Sequence, residues 1–108
     1  MSARPVVPRD RANRDVYEAI AYSMKEFGAE SSLGLVDALE DGYGLLGRHP
    51  AIGSSRYAHE LGVPGLRSWP LRRFPYVIFY VEREDHIDVW RVLHGQRDIP
   101  VLMQDRDD

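Results

Sequence analysis

The chain has 108 residues, 44% of them hydrophobic and 29% charged, which is the composition of a soluble globular protein and the length of one domain. It contains no cysteine, so disulfides, thiolate metal sites and a cysteine nucleophile are excluded. No apolar run approaches the roughly 20 residues that a membrane helix needs, and residues 1–9 lack the apolar core of a signal peptide. We therefore expect a cytoplasmic protein with one domain over residues 1–103 and an acidic, disordered tail over residues 104–108.

The net charge of −3 is distributed unevenly along the chain. Residues 9–47 carry four basic and eight acidic side chains, whereas residues 48–81 carry five arginines and one acidic residue, Glu60. Arginine outnumbers lysine thirteen to one, and its planar guanidinium suits phosphate and carboxylate partners. A compositional bias of the genome would explain the same arginine count. The basic second half of the chain is compatible with a polyanion or an acidic protein as partner.

Two amphipathic helices are predicted in the first half of the chain. A proline-bracketed segment, residues 4–8, precedes them and fits either an edge strand or a plain arm. Apolar residues then recur at helical spacing over residues 9–27 and again over residues 33–46. The two apolar stripes are Val16, Ile20, Met24 and Phe27 in the first helix, and Val36, Leu39, Tyr43 and Leu46 in the second. Gly28 ends the first helix, and because the link is short, the two helices form an antiparallel hairpin.

The second half of the chain predicts strands. Two apolar runs, residues 75–81 and 87–93, flank a polar turn and indicate an antiparallel hairpin. The first run is apolar on both alternating faces, which is typical of a central strand covered above and below. Residues 66–71 predict a shorter strand after a loop over residues 49–65, and residues 99–103 predict a final extended segment.

This order of elements, β-α-α-β-β-β, indicates an α+β fold in which a helix hairpin packs on one face of a small antiparallel sheet. The other face of the sheet keeps aromatic side chains for which the sequence offers no intrachain cover. A small domain that exposes such a patch usually has a partner for it. We therefore expect a binding partner on that face.

The candidate site lies where the last long strand ends, at His94-Gly95-Gln96-Arg97. In that strand we expect Arg91 and His94 to be the exceptions to burial. An arginine at a strand end can bind a phosphate with two hydrogen bonds, and a histidine can exchange a proton near neutral pH. The alternative is structural, with Arg97 and Asp98 fixing the strand end and His94 bonding locally. The histidines show no metal-ligand spacing, so we expect no metal and no cofactor.

Residues 74–98 resemble the carboxyl half of the ParE/RelE superfamily, the toxins of type II toxin–antitoxin systems. The likeness rests on Phe74-Pro75-Tyr76-Val77-Ile78-Phe79-Tyr80, on Ile87, and on Arg91-Val92-Leu93-His94-Gly95-Gln96-Arg97-Asp98. Pro64-Gly65-Leu66-Arg67, His49-Pro50 and the helix-helix-sheet order match as well. The resemblance implies a RelE/ParE-like fold and a cytoplasmic toxin. It also implies a cognate antitoxin whose helix and extended segment lie along the domain.

The superfamily has two branches with different activities. ParE-like toxins poison DNA gyrase and have no known nuclease site, whereas RelE-like toxins cut mRNA on the ribosome without a metal. Arg97 matches the basic position that follows the glycine in the nuclease branch. The arginine and the tyrosine of that branch, however, fall near Val77 and near Met103 in this sequence. The resemblance is closer to the ParE branch, so we expect a gyrase inhibitor. The alternatives are a RelE-like, ribosome-dependent mRNA endoribonuclease and a non-toxic module that only binds the antitoxin.

Both activities assign roles to basic side chains around the strand end. For contact with the target, we expect Arg91, His94, Arg97, Arg72 and Arg73. For a ribonuclease, the catalytic candidates are Arg97, Arg73, Arg67 and His94. Metal-independent RNA cleavage needs a base, an acid and stabilisation of the charge on a phosphorane-like state. Each arginine also has a structural alternative, as a salt bridge or as a solvated surface residue.

Overall fold

The computed structural model describes residues 3–104 and has an α+β architecture with a four-stranded sheet. In chain order the elements are β1 (Val6–Pro8), α1 (Asp10–Phe27), α2 (Ala29–Arg48), α3 (Arg56–Leu61), β2 (Leu66–Pro70), β3 (Tyr76–Glu82), β4 (Ile87–His94) and α4 (Ile99–Leu102). The predicted fold class is confirmed, and the proline-bracketed segment is an edge strand. Of the predicted tail, only Gln104 belongs to the described residues. Within residues 3–104, no helix combines the length and the apolar character needed to cross a lipid bilayer.

The two long helices meet at Gly28, whose φ of 91° ends α1 and begins α2. Glycine adopts this angle without the strain that a side chain would add. The buried residues of α1 are Ala12, Asp15, Ala19 and Ser23. The predicted stripe is correct for Val16 and Ile20, which pack against the core, and wrong for Met24 and Phe27, which are exposed. The small residues recur at the same helical spacing as the large ones, so periodicity alone cannot choose between the two faces.

The sheet has the order β1-β4-β3-β2. As predicted, β2, β3 and β4 are antiparallel, but β1 pairs in parallel with β4, so the sheet is mixed rather than wholly antiparallel. A parallel pair needs a long crossover, and the helix hairpin between β1 and β2 provides the length. The register shifts between Phe79 and Tyr80 and leaves Trp90 as an additional residue in β4, a β-bulge.

The second face of the sheet is covered by the chain itself, which corrects the prediction of an uncovered aromatic face. The predicted loop over residues 49–65 contains α3, and residues 99–102 form α4 rather than an extended segment. These two short helices and their flanks bury Phe79, Trp90 and Leu93 under Tyr57, Leu61, Ile99 and Met103. Helices of six and four residues are too short to show a helical period in the sequence. The main local signal for α4 is Asp98, whose carboxylate accepts a hydrogen bond from the Val101 N–H.

A buried carboxylate on β4, Asp88, joins the edge of the sheet to the strand hairpin. It is 8% exposed and accepts hydrogen bonds from Arg9 Nε at 3.1 Å, Arg83 Nη2 at 2.9 Å and Trp90 Nε1 at 3.0 Å. Arg9 also stacks over the Trp90 ring, 4.3 Å from its centroid. Burial raises the pKa of Asp88, but the hydrogen bonds from Arg9, Trp90 and Arg83 outweigh it and leave the pKa below its usual value.

We expect Asp88→Asn to destabilise the protein at neutral pH by about 1–3 kcal/mol, because the amide lacks the charge that these three donors share. The pKa of Asp88 is lower in the folded than in the unfolded chain. The stabilisation is therefore present above the unfolded pKa of about 3.9 and is lost as the pH falls through the folded pKa. Urea unfolding of both proteins at pH 7 and at successively lower pH measures the difference. If the difference in the free energy of unfolding between wild type and Asp88→Asn stays constant into the acid range, the charge of Asp88 is not the source of the stabilisation.

Candidate functional site

An ion pair between Asp15 on α1 and Arg91 on β4 forms the base of the candidate site. Arg91 Nε and Nη2 donate to the two carboxylate oxygens of Asp15 at 2.7 and 2.8 Å, so the pair is bidentate. The backbone N–H of Val92 donates to the same carboxylate at 3.0 Å. Arg91 is 1% exposed and Asp15 is 7% exposed. Arg11 Nη1 forms a further ion pair with Asp15 at 3.4 Å. Because the Arg91 guanidinium is buried, it requires a counter-charge.

Arg91 also connects β4 to α4. Its Nη1 donates to the carbonyl oxygen of Leu102 at 2.6 Å, so one guanidinium bonds to both α1 and α4. The prediction that Arg91 escapes burial is therefore wrong. Because β1 ends at Pro8, β4 has no neighbouring strand on this side at Arg91. The Arg91 side chain contacts α1 and α4 there instead of solvent.

An open groove of about 810 Å³ lies over this ion pair, between α1 and the carboxyl end of β4. From α1 the groove is lined by Arg11, Glu18 and Tyr22, and from the strand end by His94 and Arg97. Arg11 lies 3.9 Å from the Glu18 carboxylate. The groove therefore carries charges of both signs, with Arg97 at the end where β4 stops.

A smaller recess of about 350 Å³ adjoins the groove. Tyr22, Tyr76 and His94 line both spaces, and the Tyr76 and His94 rings meet edge to face with centroids 5.5 Å apart. Burial, and to a smaller extent the neighbouring Tyr22, raises the pKa of Tyr76, so its phenol is protonated at neutral pH. Arg73 lines the recess from a left-handed backbone conformation with a φ of 69°, which a non-glycine residue rarely adopts.

A hydrogen bond to Nδ1 orients the ring of His94. Its Nδ1 accepts a hydrogen bond from the backbone N–H of Gln96 at 3.2 Å, and only a nitrogen without a proton can accept. The proton of a neutral His94 then resides on Nε2, which makes that nitrogen the donor. His94 is half-buried at the junction of the groove and the recess.

Three of the predicted basic residues lie at one end of the sheet. Arg72 and Arg73 precede β3, which begins at Tyr76, and Tyr76 is the register partner of His94. Arg97 follows β4 at the same end. All three arginines are exposed. The structure therefore brings these arginines and His94 to one end of the molecule.

Arg67 lies apart from that end. Its guanidinium donates to the carbonyl oxygen of Gly53 at 2.8 Å and so fixes the chain before α3. In the register Arg67 is opposite Tyr80, whereas His94 is opposite Tyr76. Four residues of a strand separate these positions, a distance of roughly 13 Å.

The sequence analysis missed the side of the groove that α1 provides. Asp15 reads as an exposed residue of an amphipathic helix, yet it is the acceptor for Arg91 and Val92. The available signal is its position three residues after Ala12 and four before Ala19, both of which are buried. A carboxylate on such a face requires a buried partner.

Comparisons with known proteins add the family. A family model, described as the ParE toxin of the type II toxin–antitoxin system parDE, matches residues 6–99. The chain belongs to the ParE toxin family. Among solved structures, the one titled "Chromosomal ParDE TA system from P. aeruginosa" superimposes on this ParE-family chain with a TM-score of 0.72. That match covers 87% of this chain and 98% of the other at 19% identity, and it shows a shared fold. No curated protein matches the chain.

We expect Asp15→Ala to lower the free energy of unfolding by about 3–5 kcal/mol, because it leaves the Arg91 guanidinium buried without a counter-charge. The matched control is Glu18→Ala on the same helix, where the carboxylate side chain is 73% exposed. That change should stay within about 0.5 kcal/mol. Urea unfolding measures both variants. Equal effects of the two substitutions contradict a structural role for the buried pair.

Proposed function

We propose that this protein is a toxin that inhibits DNA gyrase and that a cognate antitoxin neutralises it in the cytoplasm. The observation that carries the proposal is membership of the ParE family, since the family model matches residues 6–99 and so includes the sheet, both long helices and the groove between α1 and β4. The shared fold with a ParDE toxin–antitoxin structure supports the same reading.

Contact with the target is proposed for the basic end of the sheet, formed by His94, Arg97, Arg72 and Arg73. The three arginines are exposed, and the structure gives none of them an ion pair within residues 3–104. Unpaired guanidinium groups on a surface favour association with carboxylate or phosphate groups of a partner. Arg91 is left out of this contact surface because Asp15 and Leu102 already occupy its guanidinium.

The endoribonuclease alternative requires its candidate side chains to act on one phosphate. Arg67 bonds to the Gly53 carbonyl and lies roughly 13 Å along the sheet from His94. Met103, near which the tyrosine of the nuclease branch falls, is fully buried and has no proton to transfer. These placements support the gyrase reading over the ribonuclease reading.

We expect Arg97→Ala to relieve toxicity by at least about tenfold, the loss typical of a central contact residue, because Arg97 is exposed at the proposed contact surface. Arg56→Ala is the matched control, since Arg56 is also an exposed arginine but lies in α3 beside Tyr57. Growth of cells that express each variant without the antitoxin ranks the two variants by toxicity, and the amount of soluble protein is measured in parallel. Equal toxicity of the two variants contradicts the assignment.

The target itself is tested with purified components. Supercoiling by DNA gyrase is measured with and without the protein, beside an assay of mRNA cleavage on programmed ribosomes. Loss of supercoiling with trapped, cleaved DNA is the expected result. Cleaved mRNA with unaffected gyrase supports the ribonuclease instead, and inactivity in both assays supports a module that only binds the antitoxin.

A further inference from the structure

Arg97 lies in a tight turn that directly follows β4. Its N–H donates to the His94 carbonyl oxygen at 3.0 Å, which closes a four-residue β-turn over residues 94–97. The N–H of Gly95 donates to the Pro75 carbonyl oxygen, which directly precedes β3, at 2.8 Å. The backbone that enters the turn is therefore fixed to the sheet.

The backbone that leaves the turn is fixed as well. Asp98 follows Arg97 directly and caps α4 with its carboxylate. The carbonyl oxygen of Leu102, at the end of α4, accepts a hydrogen bond from the buried Arg91 guanidinium. Residues 95–97 connect these two anchored elements, so their conformation determines the direction in which the Arg97 side chain leaves the backbone.

The imidazole of His94 adds a hydrogen bond inside this turn. Its Nδ1 accepts from the Gln96 N–H at 3.2 Å. A side-chain acceptor that bonds to the N–H two residues later is the arrangement of an Asx-turn, in which asparagine or aspartate stabilises a turn in the same way. The Tyr76 ring packs edge to face against the imidazole. The ring is thus oriented by β3, and it orients the peptide that joins Gly95 to Gln96.

The order of this turn matters because of the way in which an arginine binds. A guanidinium forms two parallel hydrogen bonds with a carboxylate or a phosphate only when its plane faces the partner. Arg97 has no ion-pair partner within residues 3–104 that holds its side chain, so the backbone of the turn limits the positions that its guanidinium can reach. A backbone that is ordered before binding also lowers the entropy cost of association.

We propose that His94 is a positioning residue, whose Nδ1 holds the turn over residues 94–97 in the conformation in which Arg97 meets the target. This role rests on the proposed function, since it requires that Arg97 contacts a target. It specifies what His94 does within the basic end of the sheet: the effect of the imidazole on target binding passes through Arg97.

The test compares His94→Leu with His94→Asn, which are close in shape and both remove the imidazole together with its contact with Tyr76. The asparagine Oδ1 is bonded to Cγ, as Nδ1 is in histidine, and can accept from the Gln96 N–H, whereas leucine has no acceptor. Toxicity is measured as the amount of soluble protein that halves the growth rate of cells without the antitoxin.

We expect His94→Leu to require about three- to tenfold more protein than the wild type, which corresponds to the loss of one hydrogen bond. His94→Asn should recover most of this loss, because it restores the acceptor without restoring the ring. Equal toxicity of the two variants overturns the inference.

A double-mutant cycle with Arg97→Ala separates positioning from direct contact. In the Arg97→Ala background we expect His94→Leu to cause no further loss of toxicity, because no guanidinium is left to position. If His94→Leu has the same effect in both backgrounds, the imidazole acts independently of Arg97 and the inference is overturned.

NMR relaxation of the free proteins tests the positioning without any target. The order parameter of the Arg97 N–H should be near about 0.85 in the wild type and in His94→Asn, and should fall toward about 0.6 in His94→Leu. Equal order in all three proteins overturns the inference. If His94→Leu does not fold, amide exchange of the wild type decides, since a Gln96 N–H that exchanges as fast as an exposed loop amide overturns it. A wild type that is not toxic refutes the proposed function, whereas the order of the turn is measured independently.

Discussion

The bidentate ion pair between Asp15 and Arg91 is the contact on which the arrangement of the site depends. The two buried charges bond to each other through two hydrogen bonds. The Asp15 carboxylate also pairs with Arg11 and bonds to the backbone of β4 through the Val92 N–H. Through Leu102, the same guanidinium holds α4 on the opposite face. Helix, strand end and carboxyl-terminal helix are therefore positioned by one buried group of polar contacts.

The short first strand determines where this group of contacts forms. β1 pairs only with residues 87–89 of β4. The backbone groups on this side of residues 90–94 therefore need hydrogen-bond partners other than a neighbouring strand. Asp15 provides one acceptor, the turn at Arg97 provides one donor, and the groove lies over the rest. The unpaired part of the β4 edge and the exposed Arg97 therefore lie at the same end of the sheet.

The resemblance in residues 74–98 and the match of the family model over residues 6–99 lead to the same family by different evidence. The strand hairpin, the helix hairpin and the basic end of the sheet were predictable, because each depends on a local pattern: alternation, helical spacing, or arginines beside a turn. The roles of Arg91 and Asp15 were not predictable, since the two residues are 76 positions apart and no local pattern connects them.

The sequence by itself determined the α+β class, the number of long elements and the position of the basic cluster, since these follow from hydrophobic period and from the order of the residues. Tertiary structure alone decided the parallel pairing of β1, the cover of the second face by α3 and α4, and the burial of Arg91. The physical reason is the same in each case. Short elements and buried charges obtain their stability from residues distant in the sequence, and a periodic pattern carries no information about such contacts.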